Sequence, residues 1–285
     1  MALDNFIPQV WSARLLASLK KALVYGQPGI VNRDFEGEIR EKGNTVKINS
    51  IGAVTVSDYT KNSDHAAPEA LNDSDQVLVI DRAKMFNFQV DDVDRVQQMP
   101  SVMDQAMQEA AYALADSADQ YIAALYANAH ADNLIGSTGS PKSVTTASSA
   151  YDFLVDLGVL LTKANVPTGG RWAIVPPWYY GLMQKDDRFV KAGTPATDAV
   201  LRNGIIGEAA GFTVIQSNNV PNSGSDTLYR VMAGHSMAIT FAEQVNKVEA
   251  FRPERRFADA VKGLHLYGAK LVRNKAIAVL TANPS

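Results

Sequence analysis

The densest cluster of groups that could do chemistry is Asp91-Asp92-Val93-Asp94, with Asp81 upstream of it. Clustered carboxylates supply the hard oxygen ligands that hold Mg2+ or Ca2+. This run lacks the glycine and the terminal glutamate of a calcium-binding loop, and no histidine sits close to it. It reads as a solvated acidic turn ahead of the following helix, where negative charge complements the helix N-terminus. The four histidines, His65, His130, His235 and His265, are scattered, and none neighbours a second ligand type at a recognisable spacing. Each reads as structural or exposed. Gly234-His235-Ser236 lacks the closing glycine of a nucleophile elbow. Gly169-Gly170-Arg171 precedes a strand instead of opening a helix, so it is a turn and not a phosphate cradle. Arg252-Pro253-Glu254-Arg255-Arg256, with Lys247 and Lys262 on either side, forms a local basic knot. Arginine forks of this kind suit nucleic-acid phosphates or the carboxylates of a neighbouring subunit. None of these constellations amounts to an active site.

Bulk properties narrow the field further. A chain of 285 residues with 46% hydrophobic content can bury a core for two lobes plus extensions. The net charge of −3 gives no global basic field to attract nucleic acid or an anionic membrane. Cysteine is absent, which removes disulfides, thiol catalysis and cysteine-ligated metal and fits a reducing cytosol. No stretch approaches the roughly 18 consecutive apolar residues of a membrane helix. The N-terminal apolar run is cut by Pro8, Arg14 and Lys20-Lys21, so no signal-peptide core remains. These features predict a soluble, intracellular protein.

The elements that must position any site are unusual. Residues 1–32 form an arm carrying Phe6, Ile7, Val10 and Trp11, then Leu15, Leu16, Leu19 and Leu23 at helical spacing, with a break at Gly26-Gln27-Pro28-Gly29. Strand-like alternation follows in Thr45-Val46-Lys47-Ile48-Asn49, in Val54-Thr55-Val56 and in Phe86-Asn87-Phe88-Gln89-Val90, with a turn signal at Lys42-Gly43-Asn44. Between them lie a polar tip, 57–75, and a more apolar returning limb, Gln76-Val77-Leu78-Val79-Ile80-Asp81. An isolated two-stranded ribbon is marginal in water, so this excursion is expected to be held from outside the subunit. That points to an assembly protein before any enzyme.

Residues 101–129 then read as one long helix of roughly 43 Å, opened by a capping-box-like Ser101 and Asp104. Its buried stripe is predicted as Met103, Met107, Ala110, Leu114, Ala118, Tyr121, Ile122 and Leu125, with Asp104, Glu109, Asp116 and Asp119 off the stripe. The Gly/Ser/Thr-rich stretch 136–149 reads as a linker or surface loop. Beyond it, 151–164 has helical spacing and Arg171-Trp172-Ala173-Ile174-Val175 reads as a buried strand stopped by Pro176-Pro177. Residues 178–184 begin another helix, 204–210 suit a short helix, and Gly211-Phe212-Thr213-Val214-Ile215 suits a strand. From Tyr229 the signal is mainly β, at 230–233, 238–241, 245–251, 264–272 and 276–280. The mixture predicts an α+β fold.

At this point the ordered runs resemble a known family. Phe6-Ile7-Pro8-Gln9-Val10-Trp11-Ser12-Ala13-Arg14-Leu15-Leu16, followed by Val31-Asn32-Arg33-Asp34-Phe35-Glu36-Gly37-Glu38-Ile39, resembles the start of tailed-bacteriophage major capsid proteins. Asn87-Phe88-Gln89-Val90-Asp91-Asp92-Val93-Asp94 and Ala111-Tyr112-Ala113-Leu114-Ala115-Asp116 are similar too, as is the closing Leu266-Tyr267-Gly268-Ala269-Lys270-Leu271-Val272-Arg273. The resemblance covers essentially the whole chain and rests on the ordered set of runs. It implies the tailed-phage major capsid fold: an N-terminal arm (1–32), an extended β-hairpin loop (33–85) and a peripheral domain with a long spine helix (86–148). An axial domain (149–249) and C-terminal strands returning to the peripheral domain (250–285) complete it.

The resemblance further implies a non-enzymatic subunit without cofactor or bound metal, self-assembling into hexamers and pentamers of an icosahedral head around double-stranded DNA. Expected partners are other copies, a separate scaffolding protein, a portal and, optionally, a minor decoration protein. DNA would be touched weakly and without sequence preference, and no membrane is involved. The protein would reside in the virion after assembly in the host cytoplasm. Candidate intersubunit contacts are Phe6, Trp11, Arg14, Tyr59, Lys61, Arg252, Arg255 and Arg256. Some family members cross-link lysine to asparagine. Lys61 is a conceivable donor, but neither an acceptor nor a catalytic glutamate can be matched, so that chemistry is not carried over. Two other readings are a nanocompartment shell, encapsulin-like, around a cargo enzyme, and a metal-dependent enzyme built on Asp91, Asp92 and Asp94.

Overall fold

The computed structural model describes residues 24–34, 45–51, 56, 58, 61, 73–91, 102–186, 207–223, 227–255 and 257–284. Among the described residues three α helices and the two larger of three β sheets share one continuous core, and the arm root, 24–34, packs into it through Tyr25, Ile30 and Val31. The expected α+β mixture is what these residues form.

The three-stranded sheet is built from long strands in the order β11-β12-β3, with β3 at Arg82–Asp91, β11 at Ile239–Phe251 and β12 at Ala258–Leu271. All of its pairings are antiparallel. The two strands predicted at 238–241 and 245–251 are one strand, β11, interrupted by a register shift between Val245 and Lys247. The boundary expected at 249/250 falls inside it. Against one face of this sheet lies α1, Val102–Ala123. Met107, Ala111, Val248 and Val261 pack together there, and Ser117 Oγ lies 3.1 Å from the Tyr267 hydroxyl.

The long helix departs from expectation in two ways. Its last turns tighten into a 3-10 helix at Ala124–Asn128, so the α-helical part spans about 33 Å. The stripe residues Met107, Ala110, Leu114, Ala118 and Ile122 are buried, but so is Asp119, at 2% exposure. Its burial is explained by the arm root, described below. The Ser101/Asp104 cap lies outside the described side chains.

The second sheet has eight strands, in the path β4-β13-β10-β6-β8-β7, with β5 beside β13 and β9 beside β10. The strands are β4 (Leu134–Ile135), β5 (Lys142–Ser143), β6 (Arg171–Val175), β7 (Glu208–Ala209), β8 (Phe212–Gln216), β9 (Asn222–Ser223), β10 (Leu228–His235) and β13 (Ile277–Asn283). β6 is buried along its whole length because β10 flanks it on one side and β8, in parallel, on the other. That is why its sequence is an unbroken apolar run after Arg171. Of the C-terminal strands, β12 belongs to the three-stranded sheet and β13 to this one.

Two helices cover the larger sheet, α2 at Ala147–Lys163 and α3 at Pro177–Gln184. A reciprocal Thr146/Ser149 capping box opens α2, whose Ala150, Leu154, Leu157 and Leu161 are fully buried. The stretch expected to be a linker, 136–149, thus holds a short strand and the cap and first turn of a helix. The helix expected at 204–210 is corrected over its described part. Glu208–Ala209 is a strand joined to β8 by Ala210 and Gly211, both at positive φ (52° and 79°). Two successive left-handed residues make the tight turn of a hairpin, which a helix cannot contain. Gly170, at φ 73°, forms the expected turn before β6, and Arg171 donates to the carbonyls of Pro167, Val166 and Gly158.

Candidate assembly interface

The described root of the arm is tied to the core by two carboxylates far away in sequence. Asp119 Oδ1 accepts hydrogen bonds from the backbone N–H groups of Val24 (2.9 Å) and Tyr25 (2.6 Å). Its Oδ2 accepts from Asn219 Nδ2 at 3.0 Å, which also reaches Asp116 Oδ1 at 2.7 Å. Burial pushes the Asp119 carboxyl above the usual carboxylate range, a rise that these donors offset only in part. The Tyr25 hydroxyl is pushed up by burial and by the Asp119 charge.

The second anchor is Arg33, whose Nη1 donates to Glu243 Oε1 at 2.7 Å. Its Nε and Nη2 donate to the Gly26 carbonyl at 2.9 and 2.6 Å, and the guanidinium lies 5.0 Å over the Phe241 ring. Between these residues, Asn32 joins the edge of β11 through Asn32 N–H to Ile239 O (2.8 Å) and Phe241 N–H to Asn32 O (3.0 Å). Glu243 also faces His265, fully buried, with Nε2 at 3.4 Å from Oε2 but outside hydrogen-bond geometry. Burial by itself would raise the Glu243 carboxyl. The neighbouring His265 and the charge and hydrogen bond of Arg33 outweigh it and hold the carboxyl below the ordinary range.

The β excursion is also rooted on its own subunit, which corrects the expectation that it has no partner there. β1 (Thr45–Ile51) and β2 (Asp73–Val79) pair antiparallel, from Thr45 opposite Val79 to Ile51 opposite Asp73. Ile48, Leu78 and Ile80 form an apolar cluster with Ala242, against which Leu266 and Val272 pack. Lys270 Nζ donates to Val77 O at 2.9 Å and Gln76 Nε2 donates to Val272 O at 3.2 Å. The Val79 carbonyl sits directly on Gly268, where a Cβ would collide with it.

Beyond this root the same sheet face is open. Opposing residues of an antiparallel pair share a face, so Met85 stands beside Leu264, and Glu249 and Asn87 flank Lys262. Met85 is 79% exposed, and Phe251 and Leu264 are also exposed. The Lys262 ammonium sits 3.1 Å from Glu249 Oε2 and 5.1 Å over the Phe251 ring. Phe257, in the turn between β11 and β12, is 82% exposed. Among the described residues β3 has a strand on one side only.

Of the sequence-predicted contact residues, Lys61 is exposed, and Arg252 and Arg255 are exposed in the β11–β12 turn. Phe6, Trp11, Arg14, Tyr59 and Arg256 lie outside the described residues, as do Asp92, Asp94 and His65. Asp91 ends β3, while Asp81 is exposed in the link from β2. Of the described histidines, His130 caps a 3-10 turn and His235 Nδ1 accepts from the Met237 N–H, both structural roles. Among the described residues no group of three or more histidine or acidic side chains is placed to hold a metal, and no helix is long and apolar enough to cross a membrane. Sequence reasoning missed Arg33, Asp119, Glu243 and His265. Only a lone polar residue inside an apolar alternation, as at Glu243 and His265, hinted at them.

Comparison with known proteins fits this geometry. No curated protein matches the chain. A chain from Mycobacterium phage Che8 is 33% identical, with 90% of each chain covered and a TM-score of 0.75. The capsid of cyanophage P-SCSP1u is 18% identical over 86% of this chain and 85% of that one, with a TM-score of 0.69. A virus-like particle from Pyrococcus furiosus is 14% identical over 96% and 99%, with a TM-score of 0.56. The last two likenesses are of fold. A family model described as phage capsid protein matches residues 74–280. The chain belongs to the phage capsid protein family, whose members are structural subunits of the virion shell.

Proposed function

We propose that this chain is the major shell subunit of an icosahedral phage head, assembling as hexamers and pentamers around double-stranded DNA. The observation that carries this reading is the open, partly apolar half of the β11-β12-β3 face, with Met85, Phe251 and Leu264 on it and Phe257 beside it. Long exposed edge strands and clustered exposed apolar side chains are liabilities in a solitary soluble protein and assets in one that is covered on assembly. In this reading α1 is the spine of a peripheral domain (86–148), and residues 149–249 carry the axial domain. Residues 1–32 and 33–85 are the arm and extended loop, and the strands of 250–285 close the molecule. Lys61, Arg252, Arg255 and Arg256 meet neighbouring copies, together with Phe6, Trp11, Arg14 and Tyr59. A separate scaffold and a portal act during assembly in the host cytoplasm, and packaged DNA is touched weakly, as the net charge of −3 suits. The identity to the Che8 phage chain favours a phage head over a nanocompartment shell.

The test is negative-stain microscopy and analytical ultracentrifugation of the purified chain beside Met85→Asp and Phe257→Asp. Both side chains are exposed, so the variants should keep the wild-type melting temperature and yield no shells. Shells of normal size and yield from both variants would sink the assignment of this face.

A further inference from the structure

One paired stretch, 239–243 of β11 with 265–270 of β12, holds both extensions of the subunit, one on each face. Glu243 pairs directly with Tyr267 and Ala242 directly with Gly268. On the first face, Glu243, which lies beside His265, takes Arg33 of the arm root, and Tyr267 reaches Ser117 of α1. On the opposite face, Gly268 lies under the Val79 carbonyl, Lys270 binds the Val77 carbonyl, and Leu266 and Ala242 pack on the base of the hairpin. Strand alternation places these two docking sites one residue apart on the chain.

We propose that this paired stretch of β11 and β12 couples the arm root to the hairpin base, so that undocking either extension loosens the other. The physical route is short. Without Arg33, the Glu243 carboxylate at neutral pH loses its cationic partner in a buried site, a cost that a shift of β11 toward solvent relieves. The ladder fixes the β11–β12 register, so a shift at Glu243 is carried to Tyr267 and Gly268. Gly268 has no side chain to absorb it, so the displacement meets the Val79 carbonyl at once. Close-packed interfaces of this kind pass small shifts on in discrete steps because they do not deform continuously. This inference concerns the single subunit and stands apart from the shell reading.

Amide hydrogen exchange on the full-length, unassembled chain tests it. Arg33→Met removes the ion pair but keeps an aliphatic stem over Phe241, and Lys270→Ala touches only the hairpin side. Tyr179→Phe, which removes a buried hydrogen bond to Ala150 O under the other sheet, serves as a control for general destabilisation. Each of the first two variants should accelerate exchange about three-fold or more in both 24–34 and 73–79, because coupling between two sites is reciprocal. The control should accelerate neither segment selectively. Acceleration confined to 24–34 in Arg33→Met, or to 73–79 in Lys270→Ala, would overturn the proposal. If Arg33→Met loosens the whole chain, Lys270→Ala decides by the same criterion.

Discussion

The Phe86 ring of β3 packs against Gly263 on the paired strand β12, where a Cβ would collide with its Cε1 and Cζ atoms. The ring is held there by Phe88, stacked at 5.9 Å, and by the Met107, Ala111, Val248 and Val261 cluster under α1. Gly263 is therefore the residue that lets the three-stranded sheet close on the helix.

Gly263→Ala should overpack this contact and lower stability by about 1–3 kcal/mol. The clash is with a side chain, so Phe86→Leu in the same chain should recover part of the loss. Thermal melts of both single variants and the double variant would measure the coupling. Additive losses would show that the ring and the glycine do not meet.

Asp119→Ala should leave the buried N–H of Tyr25 and the half-buried N–H of Val24 without their acceptor, at a cost of about 1–3 kcal/mol for the buried one. The loss should be local first, seen as faster proteolysis near residue 24 well below the melting temperature. Wild-type cleavage there would show that water replaces the carboxylate without penalty.

Glu243 and Asp119 should act on acid stability in opposite senses. Glu243 is held below its ordinary 4.5, so its ion pair stabilises fully above that pH and the contribution is lost as pH falls through the lower folded value. Asp119 is raised above its ordinary 3.8, so the penalty of its buried charge is relieved as pH falls. The melting-temperature gap between wild type and Glu243→Gln should therefore narrow as pH falls below 4.5. A gap that widened on acidification would contradict the depressed Glu243 carboxyl.

Leu114→Asp would place a charge on the buried stripe of α1, where Leu114 is 6% exposed. The cost of an unpaired buried charge is several kcal/mol, which a domain of ordinary stability does not survive. Insoluble or rapidly degraded protein is expected in an expression trial. A soluble, assembling variant would mean that this helix face is open to water.

What the sequence determined by itself was local in origin. The stripe from Met107 to Ile122 and the apolar run of Trp172–Val175 follow from burial on one helix face or on both strand faces, and that pattern repeats within a few residues. The turn at Gly170 follows from the conformational freedom of glycine. The ordered runs carried the family as well. What the tertiary structure alone decided was which distant segments meet. Asp119 looked like a solvated helix position because its partners, the N–H groups of Val24 and Tyr25, carry no side-chain signal and lie 95 and 94 residues away. Arg33 and Glu243 stand 210 residues apart, and no periodicity links them. The hairpin looked unsupported because two of its anchors lie 193 and 196 residues away, and another, Gly268, contributes no side chain, only the room for the Val79 carbonyl to sit on β12. Periodicity records how much of a segment is buried, whereas the identity of the burying partner is a property of the folded chain.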